Sequence, residues 1–171
     1  RYHRFMEENL FNHIDIKKEN CFIPHSDTSQ EIIKKHCDDY ERKIEKWGGI
    51  DFQLLGIGRN GHIGFNEPGS HVNSITRLIT LDQITRIDAV YDFGSLAHVP
   101  RKAITMGVGT ILKAKRIVLL ALGERKAGII KQAIEGPVTE FVPASYLQGH
   151  KNVEFVIDKS AAAEMTRKKT P

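Results

Sequence analysis

Helical periodicity opens the chain and recurs before the first β-type run. The first apolar stripe predicts an opening helix and consists of Tyr2, Phe5, Met6 and Leu10. A second helix is predicted by the capping-box pattern Thr28-x-x-Glu31, which is typical of a helix N-terminus. Its apolar stripe consists of Ile33, Cys37, Tyr40, Ile44 and Trp47. Gly48 and Gly49 follow directly, so the second helix is predicted to end there.

Short β-type runs alternate with helical segments through the rest of the chain. Strands are predicted at 50–55, 77–81, 116–122 and 153–157, and further helices at 124–135 and 160–167. Residues 116–122 (RIVLLAL) are almost continuously apolar, as in a strand buried on both faces of a parallel sheet. The alternation predicts a three-layer, Rossmann-like α/β fold, with a mostly parallel sheet and helices on both faces.

The composition is that of an ordinary globular domain and excludes several classes. A length of 171 residues, 40% of them hydrophobic, predicts a single domain over 1–171. The net charge of +4 is spread along the chain, so no nucleic-acid partner is predicted. No apolar run approaches the roughly 20 residues needed to cross a bilayer, so no membrane partner is predicted. Cys21 and Cys37 lack a zinc-type spacing, which predicts free thiols, a cytoplasmic location and no metal site.

The candidate chemistry lies in a glycine-rich loop after the predicted strand at 50–55. The loop contains His62, whose imidazole can take and return a proton near neutral pH. Glu67 is five residues further on, close enough within a folded loop to meet His62, and the amide oxygen of Asn60 can fix the imidazole tautomer. Gly58 and Gly61 allow the backbone to approach a ligand closely. Loops at the carboxyl ends of parallel strands are where such folds bind ligands, so an active site is predicted here.

Two other interpretations of this loop stay open on the residues alone. Residues 56–61 (GIGRNG) match a dinucleotide-binding pattern, and Asp82 lies near the place of a ribose-binding acid. Pro68 and Gly69 argue against this, because they leave no room for the long helix that should face a pyrophosphate. The other interpretation is a surface turn whose His and Glu are merely exposed.

A longer string, residues 56–70 (GIGRNGHIGFNEPGS), resembles the signature of the glucosamine-6-phosphate deaminase/isomerase family. Similar segments follow in the family's order at 99–100, 103–110, 122–127, 135–136 and 145–148. The sister family of 6-phosphogluconolactonases shares the Gly-His core and is the alternative. The run of residues 65–68 (FNEP) resembles the deaminase version.

The resemblance implies a reaction and a partner. Glucosamine 6-phosphate, a small phosphorylated amino sugar, would be converted to fructose 6-phosphate and ammonia by ring opening, aldose–ketose isomerisation and hydrolysis. The family uses no metal, flavin or nicotinamide, and oligomers are common in it, so a homo-oligomer is predicted. His62 resembles the histidine that shuttles the ring-opening proton, and Glu67 resembles its acidic partner.

Lys126 is the predicted phosphate ligand on two grounds. The segment 122–127 (LGERKA) resembles the family's pattern. Lys126 is also predicted in the first turn of a helix, where a cation is unfavourable until an anion arrives.

Three departures from the family's pattern change the expectations. Many members have Asp at the position of Asn60, and an amide orients His62 without stabilising its cation electrostatically. No arginine in residues 85–93 matches the phosphate-binding arginine that family members often place there. The family's first strand–helix units, with the base that removes the C2 proton, would precede residue 1. The chain is therefore expected to be the C-terminal two thirds of the full domain.

Overall fold

The computed structural model describes residues 2–24 and 29–166. The helices are α1 (Tyr2–Asn9), α2 (Gln30–Lys46), α3 (Gln83–Asp88), α4 (Val90–Phe93), α5 (Val108–Leu112) and α6 (Ala127–Glu135). The strands are β1 (Phe52–Leu55), β2 (Arg77–Thr80), β3 (Lys102–Thr105), β4 (Arg116–Ala121) and β5 (Val153–Ile157). Short 3₁₀ turns lie at Phe11–His13, Lys18–Asn20, Glu124–Lys126 and Pro143–Gly149.

The sheet that carries the site is parallel, with strand order β1-β4-β5. Leu54 lies opposite Val118, and Leu119 lies opposite Phe155. These pairings confirm the predicted α/β class with a parallel sheet. The strand predicted at 77–81 also exists as β2, but it pairs antiparallel with β3 in a separate two-stranded sheet. The sequence analysis missed β3 because residues 101–105 (RKAIT) contain no clear apolar run or alternation.

The main core lies on one face of the parallel sheet. Ile117 and Leu119 of β4 are fully buried there. Their partners come mainly from α5, α6 and the turn at 143–149, and include Ile111, Ile130, Ala133, Ala144 and Leu147. Each of these side chains removes apolar surface from water, which is the main favourable contribution to folding.

The opposite face of the same sheet is apolar and exposed in the described part of the chain. Its exposed side chains are Phe52, Leu54, Leu120 and Val156. The prediction that 116–122 is buried on both faces is therefore wrong for the residues described. Burial alternates along β4 with the period of two that places successive side chains on opposite faces.

The helix predictions are mostly confirmed. In α2, Ile33 and Cys37 are buried, and Gly48 and Gly49 follow with φ of 83° and 91°. Trp47, predicted on the same apolar stripe, is 63% exposed. Thr28, the predicted capping residue, lies outside the described residues. In the predicted segment 124–135, a 3₁₀ turn precedes α6, which begins only at Ala127. None of the helices described is long and apolar enough to cross a membrane.

The predicted last helix at 160–167 is wrong over 160–166, and Arg167 lies outside the described residues. Isolated turns follow β5 instead. The Asp158 carboxylate accepts hydrogen bonds from the backbone N–H of Ala161 at 2.7 Å and of Gly123 at 3.1 Å. Asp158 thereby ties the end of β5 to the end of β4, and its bond to the Ala161 N–H caps the turns at 159–164.

Candidate active site

The glycine-rich loop after β1 closes on itself. The Gly58 N–H donates to the His62 carbonyl at 2.9 Å, and the Gly61 N–H donates to the Gly58 carbonyl at 3.0 Å. Gly61 has φ of 84°, a conformation that favours glycine. The Gly61 carbonyl in turn accepts a hydrogen bond from the backbone N–H of Ala144 at 2.9 Å. The loop is therefore closed through Gly58 and tied to the turn at 143–149 through Gly61.

No helix follows this loop within the described stretch 62–76, which forms turns and an isolated bridge between Ile63 and Asn66. The Asp82 side chain caps α3 by accepting from the Ile84 N–H at 2.7 Å. A dinucleotide fingerprint needs a long helix directly after the third glycine and a free acid further on. The dinucleotide interpretation is therefore wrong.

The imidazole of His62 has oxygen atoms on one side. Its Nδ1 lies 2.7 Å from Asn60 Oδ1 and 3.4 Å from Glu67 Oε2. Asn60 Nδ2 donates to Glu67 Oε2 at 2.8 Å, so the amide oxygen is the atom that faces the imidazole. An amide oxygen can only accept, which assigns the Nδ1 proton and leaves Nε2 of the neutral ring free to take a proton. The exposed-turn interpretation is wrong as well, because the His62 and Glu67 side chains are only 16% and 12% exposed.

Glu67 is held as a carboxylate. Its Oε1 accepts from the backbone N–H of Asp82 at 3.2 Å. Burial acts to raise the pKa of Glu67, but hydrogen bonds from His62, Asn60 and Thr85, together with the charge that His62 carries when protonated, outweigh burial and bring it below the ordinary value. Glu67 is therefore ionised at neutral pH, next to the imidazole.

Gly58 lies directly against the imidazole ring. A Cβ atom at this position would be 2.1 Å from His62 Cε1 and 2.2 Å from its Nδ1, far inside van der Waals contact. A Cβ on Gly56, two residues earlier, would have no neighbour within 4 Å among residues 2–24 and 29–166. Gly58 is therefore the residue whose missing side chain makes room for His62.

Two further residues support the loop, and neither was predicted as a site residue. Thr85 of α3 is buried and places its hydroxyl 3.3 Å from His62 Nδ1. Asn66 is fully buried and donates to the carbonyls of Ile63 and Met106, while Arg77 donates to Asn66 Oδ1 at 2.8 Å. The only early signal was the presence of Asn66 inside the string 56–70; nothing in the pattern around Thr85 indicated a contact with His62.

Lys126 meets the same loop from the end of β4. It lies on the 3₁₀ turn after Gly123, and its Nζ donates to the Ile57 carbonyl at 2.7 Å. Burial, with the nearby positive charge of Arg59, lowers the pKa of Lys126 more than Asp88 raises it. The structure thus brings all six predicted site residues to one loop and its edge: Gly58, Asn60, Gly61, His62, Glu67 and Lys126. Within residues 2–24 and 29–166, no three His, Cys, Asp or Glu side chains are placed to hold a metal ion.

Residues 1–156 match the family model of glucosamine-6-phosphate isomerases/6-phosphogluconolactonase. The chain belongs to this family. It is 52% identical over 162 residues to a glucosamine-6-phosphate deaminase of Thermoanaerobacter sp. (strain X514), covering 95% of this chain and 63% of that relative. It is 50% identical over 166 residues to a putative glucosamine-6-phosphate deaminase-like protein of Bacteroides thetaiotaomicron, covering 97% of this chain and 25% of that protein. The chain thus spans less than two thirds of the length of these family members.

A solved family member has the same fold. The structure of a monomeric glucosamine-6-phosphate deaminase, 44% identical in sequence, superimposes with a TM-score of 0.91 over 95% of this chain and 67% of that one. The resemblance stated from residues 56–70 and the segments after it is confirmed, and so is the α/β fold class.

Proposed function

We propose that the protein containing this chain is a glucosamine-6-phosphate deaminase that forms fructose 6-phosphate and ammonia. The observation that carries the proposal is the His62 imidazole held through Nδ1, with Nε2 left free, in a chain half identical to proteins named as deaminases. The alternative is a 6-phosphogluconolactonase, since the family includes both. The identity of 52% to a protein named glucosamine-6-phosphate deaminase favours deamination.

The proposed role of His62 is to open the sugar ring. Ring opening removes a proton from the anomeric hydroxyl and delivers one to the ring oxygen, and a near-neutral imidazole can do both. His62 Nε2 would take the first proton and return it to the ring oxygen. The imidazolium formed in between lies 3.4 Å from the ionised Glu67, which stabilises it. Asn60 keeps the imidazole in the tautomer that this exchange requires.

We also propose that the chain is the C-terminal two thirds of the catalytic domain. The coverage of 63% of a deaminase supports this, and the base for the aldose–ketose step would then lie in the remaining third. Residues 1–171 alone are accordingly expected to release no ammonia.

The proposed location is the cytoplasm, in line with two free cysteines. The homo-oligomer remains a prediction, which a mass measurement in solution would test. The structurally matched deaminase is described as monomeric.

Lys126 is proposed to bind the substrate phosphate. Replacing Lys126 with Met in the full-length protein is expected to raise KM for glucosamine 6-phosphate by about 10–100-fold, the usual effect of losing a hydrogen bond to a charged group. The poor activity on unphosphorylated glucosamine should change little. Arg125→Met removes the neighbouring exposed cation and is the matched control, with a much smaller expected change in KM. Equal losses on both sugars would place the phosphate elsewhere.

Asn60→Asp tests the contact between residue 60 and the imidazole. The carboxylate would face His62 Nδ1 and also Glu67, whose hydrogen bond from Asn60 Nδ2 would be lost. Negative charge favours the protonated forms of this cluster, so the acidic limb of the pH–rate profile is expected to move to higher pH. Asn152→Asp, the same change on an exposed residue before β5, should leave the profile in place. An unmoved limb in Asn60→Asp would contradict the described geometry.

A further inference from the structure

Arg59 and Asp88 form an ion pair at the edge of the glycine-rich loop. Arg59 Nε donates to Asp88 Oδ2 at 2.9 Å, and Arg59 Nη2 lies 2.6 Å from Asp88 Oδ1. The two side chains are 47% and 43% exposed, and an ion pair this open to water contributes little to the stability of a fold. It does fix the direction of an otherwise flexible arginine, because both carboxylate oxygens engage the same edge of the guanidinium.

Arg59 lies in the loop whose backbone Lys126 contacts. Ile57, whose carbonyl accepts from Lys126 Nζ, is two residues before Arg59 in the loop. The charges of Arg59 and Asp88 both act on the pKa of Lys126, in opposite directions, so the three groups share one electrostatic environment. Two cations and one anion leave this cluster with a net positive charge.

Both cations keep hydrogen-bonding capacity for a ligand. Within the described part of the chain, Arg59 Nη1 makes no hydrogen bond, and Lys126 Nζ uses one of its three hydrogens. A planar guanidinium and an ammonium in one electrostatic environment suit a phosphate group, which carries about −1.5 to −2 charges near neutral pH. Arg86, by contrast, is the one arginine in residues 85–93. It donates to the backbone carbonyls of Leu96 and Val99.

We propose that Arg59 binds the phosphate of the substrate together with Lys126, and that Asp88 is the counter-ion of Arg59 while no anion is bound. The inference rests on the proposed function for the identity of the phosphate ester. It also fits the size of a sugar phosphate, because the phosphorus is only a few bonds from the ring oxygen and Arg59 is three residues before His62. One loop would thus bind the phosphate through Arg59 and deliver a proton to the ring oxygen through His62.

The test is binding of inorganic phosphate to the full-length protein, measured by titration calorimetry. Arg59→Ala is expected to weaken phosphate binding by about tenfold or more. Asp88→Asn has the opposite expected effect, a few-fold gain in affinity, because it removes a negative charge beside the anion. Arg59→Lys should fall between wild type and Arg59→Ala, since it keeps the charge without the fork.

A purely structural ion pair predicts a different pattern. Arg59→Ala and Asp88→Asn would then weaken phosphate binding alike, and that result overturns the proposal. An unchanged affinity in Arg59→Ala, or no saturable phosphate binding by the wild-type protein, overturns it too. An ammonia-release assay on the same preparations separates this inference from the proposed function. A wild-type protein that releases no ammonia but shows the opposed effects on phosphate binding keeps the phosphate site and loses the deaminase proposal. A protein that releases ammonia without those opposed effects keeps the deaminase proposal and loses the proposed role of Arg59.

Discussion

Replacing His62 with Ala in the full-length protein is expected to lower kcat on cyclic glucosamine 6-phosphate by about 10²–10⁴-fold. The imidazole is the group placed to move a proton between the anomeric hydroxyl and the ring oxygen. An open-chain analogue has no ring to open, so its turnover should fall much less. The measurement is a comparison of steady-state kcat on the two substrates.

The matched control for this variant is His71→Ala. His71 is exposed and accepts a hydrogen bond from the backbone N–H of Asn73, outside the His62 cluster. Its loss should leave kcat on both substrates within a small factor of wild type. Equal losses of His62→Ala on the cyclic and open-chain substrates would show that His62 acts after ring opening or only in folding.

Gly58→Ala is expected to have an effect of similar size from a single added methyl group. The Cβ atom would lie 2.1–2.6 Å from three atoms of the His62 ring, so the imidazole has to move. A misplacement of about 1 Å in a catalytic group can cost about 10²-fold in rate. Gly58 does not have a positive φ, so alanine is compatible with its backbone and the effect should be confined to His62.

Two variants make the test of Gly58 specific. Gly56→Ala adds the same methyl group in the same loop, where no described residue lies within 4 Å, and kcat should be close to wild type. In a His62→Ala background the clash has no ring to meet, so Gly58→Ala should cause little further loss. Multiplicative losses in the double variant would mean that Gly58 serves something other than the imidazole.

Those helices and strands were predicted whose own residues follow a helical or β-type spacing of apolar positions. Helix α2 and strand β1 were found from apolar spacing and the glycines that follow them, and strand β5 from its β-type run. Strand β3 was missed because its sequence has no such pattern and its pairing with β2 is antiparallel. The helix expected at 160–167 was wrong over its described part, where turns at 159–164, capped by Asp158, take its place.

In the site, contacts between residues near in sequence could be predicted, and contacts between residues far apart in sequence could not. Asn60, His62 and Glu67 could be predicted because they lie within one short loop, where sequence separation limits their distance. Thr85 and Asp88 reach that loop from α3, and a contact across more than twenty residues leaves no periodic signal. Lys126 was found through the resemblance of its segment and the unusual place of a cation, whereas its contact with Ile57 needed the folded chain.

The most direct test of the proposed activity is product formation by the full-length protein from glucosamine 6-phosphate. The account predicts equimolar fructose 6-phosphate and ammonia, with no added metal or nicotinamide, and loss of both products in His62→Ala. Hydrolysis of 6-phosphogluconolactone without ammonia release from glucosamine 6-phosphate would contradict it.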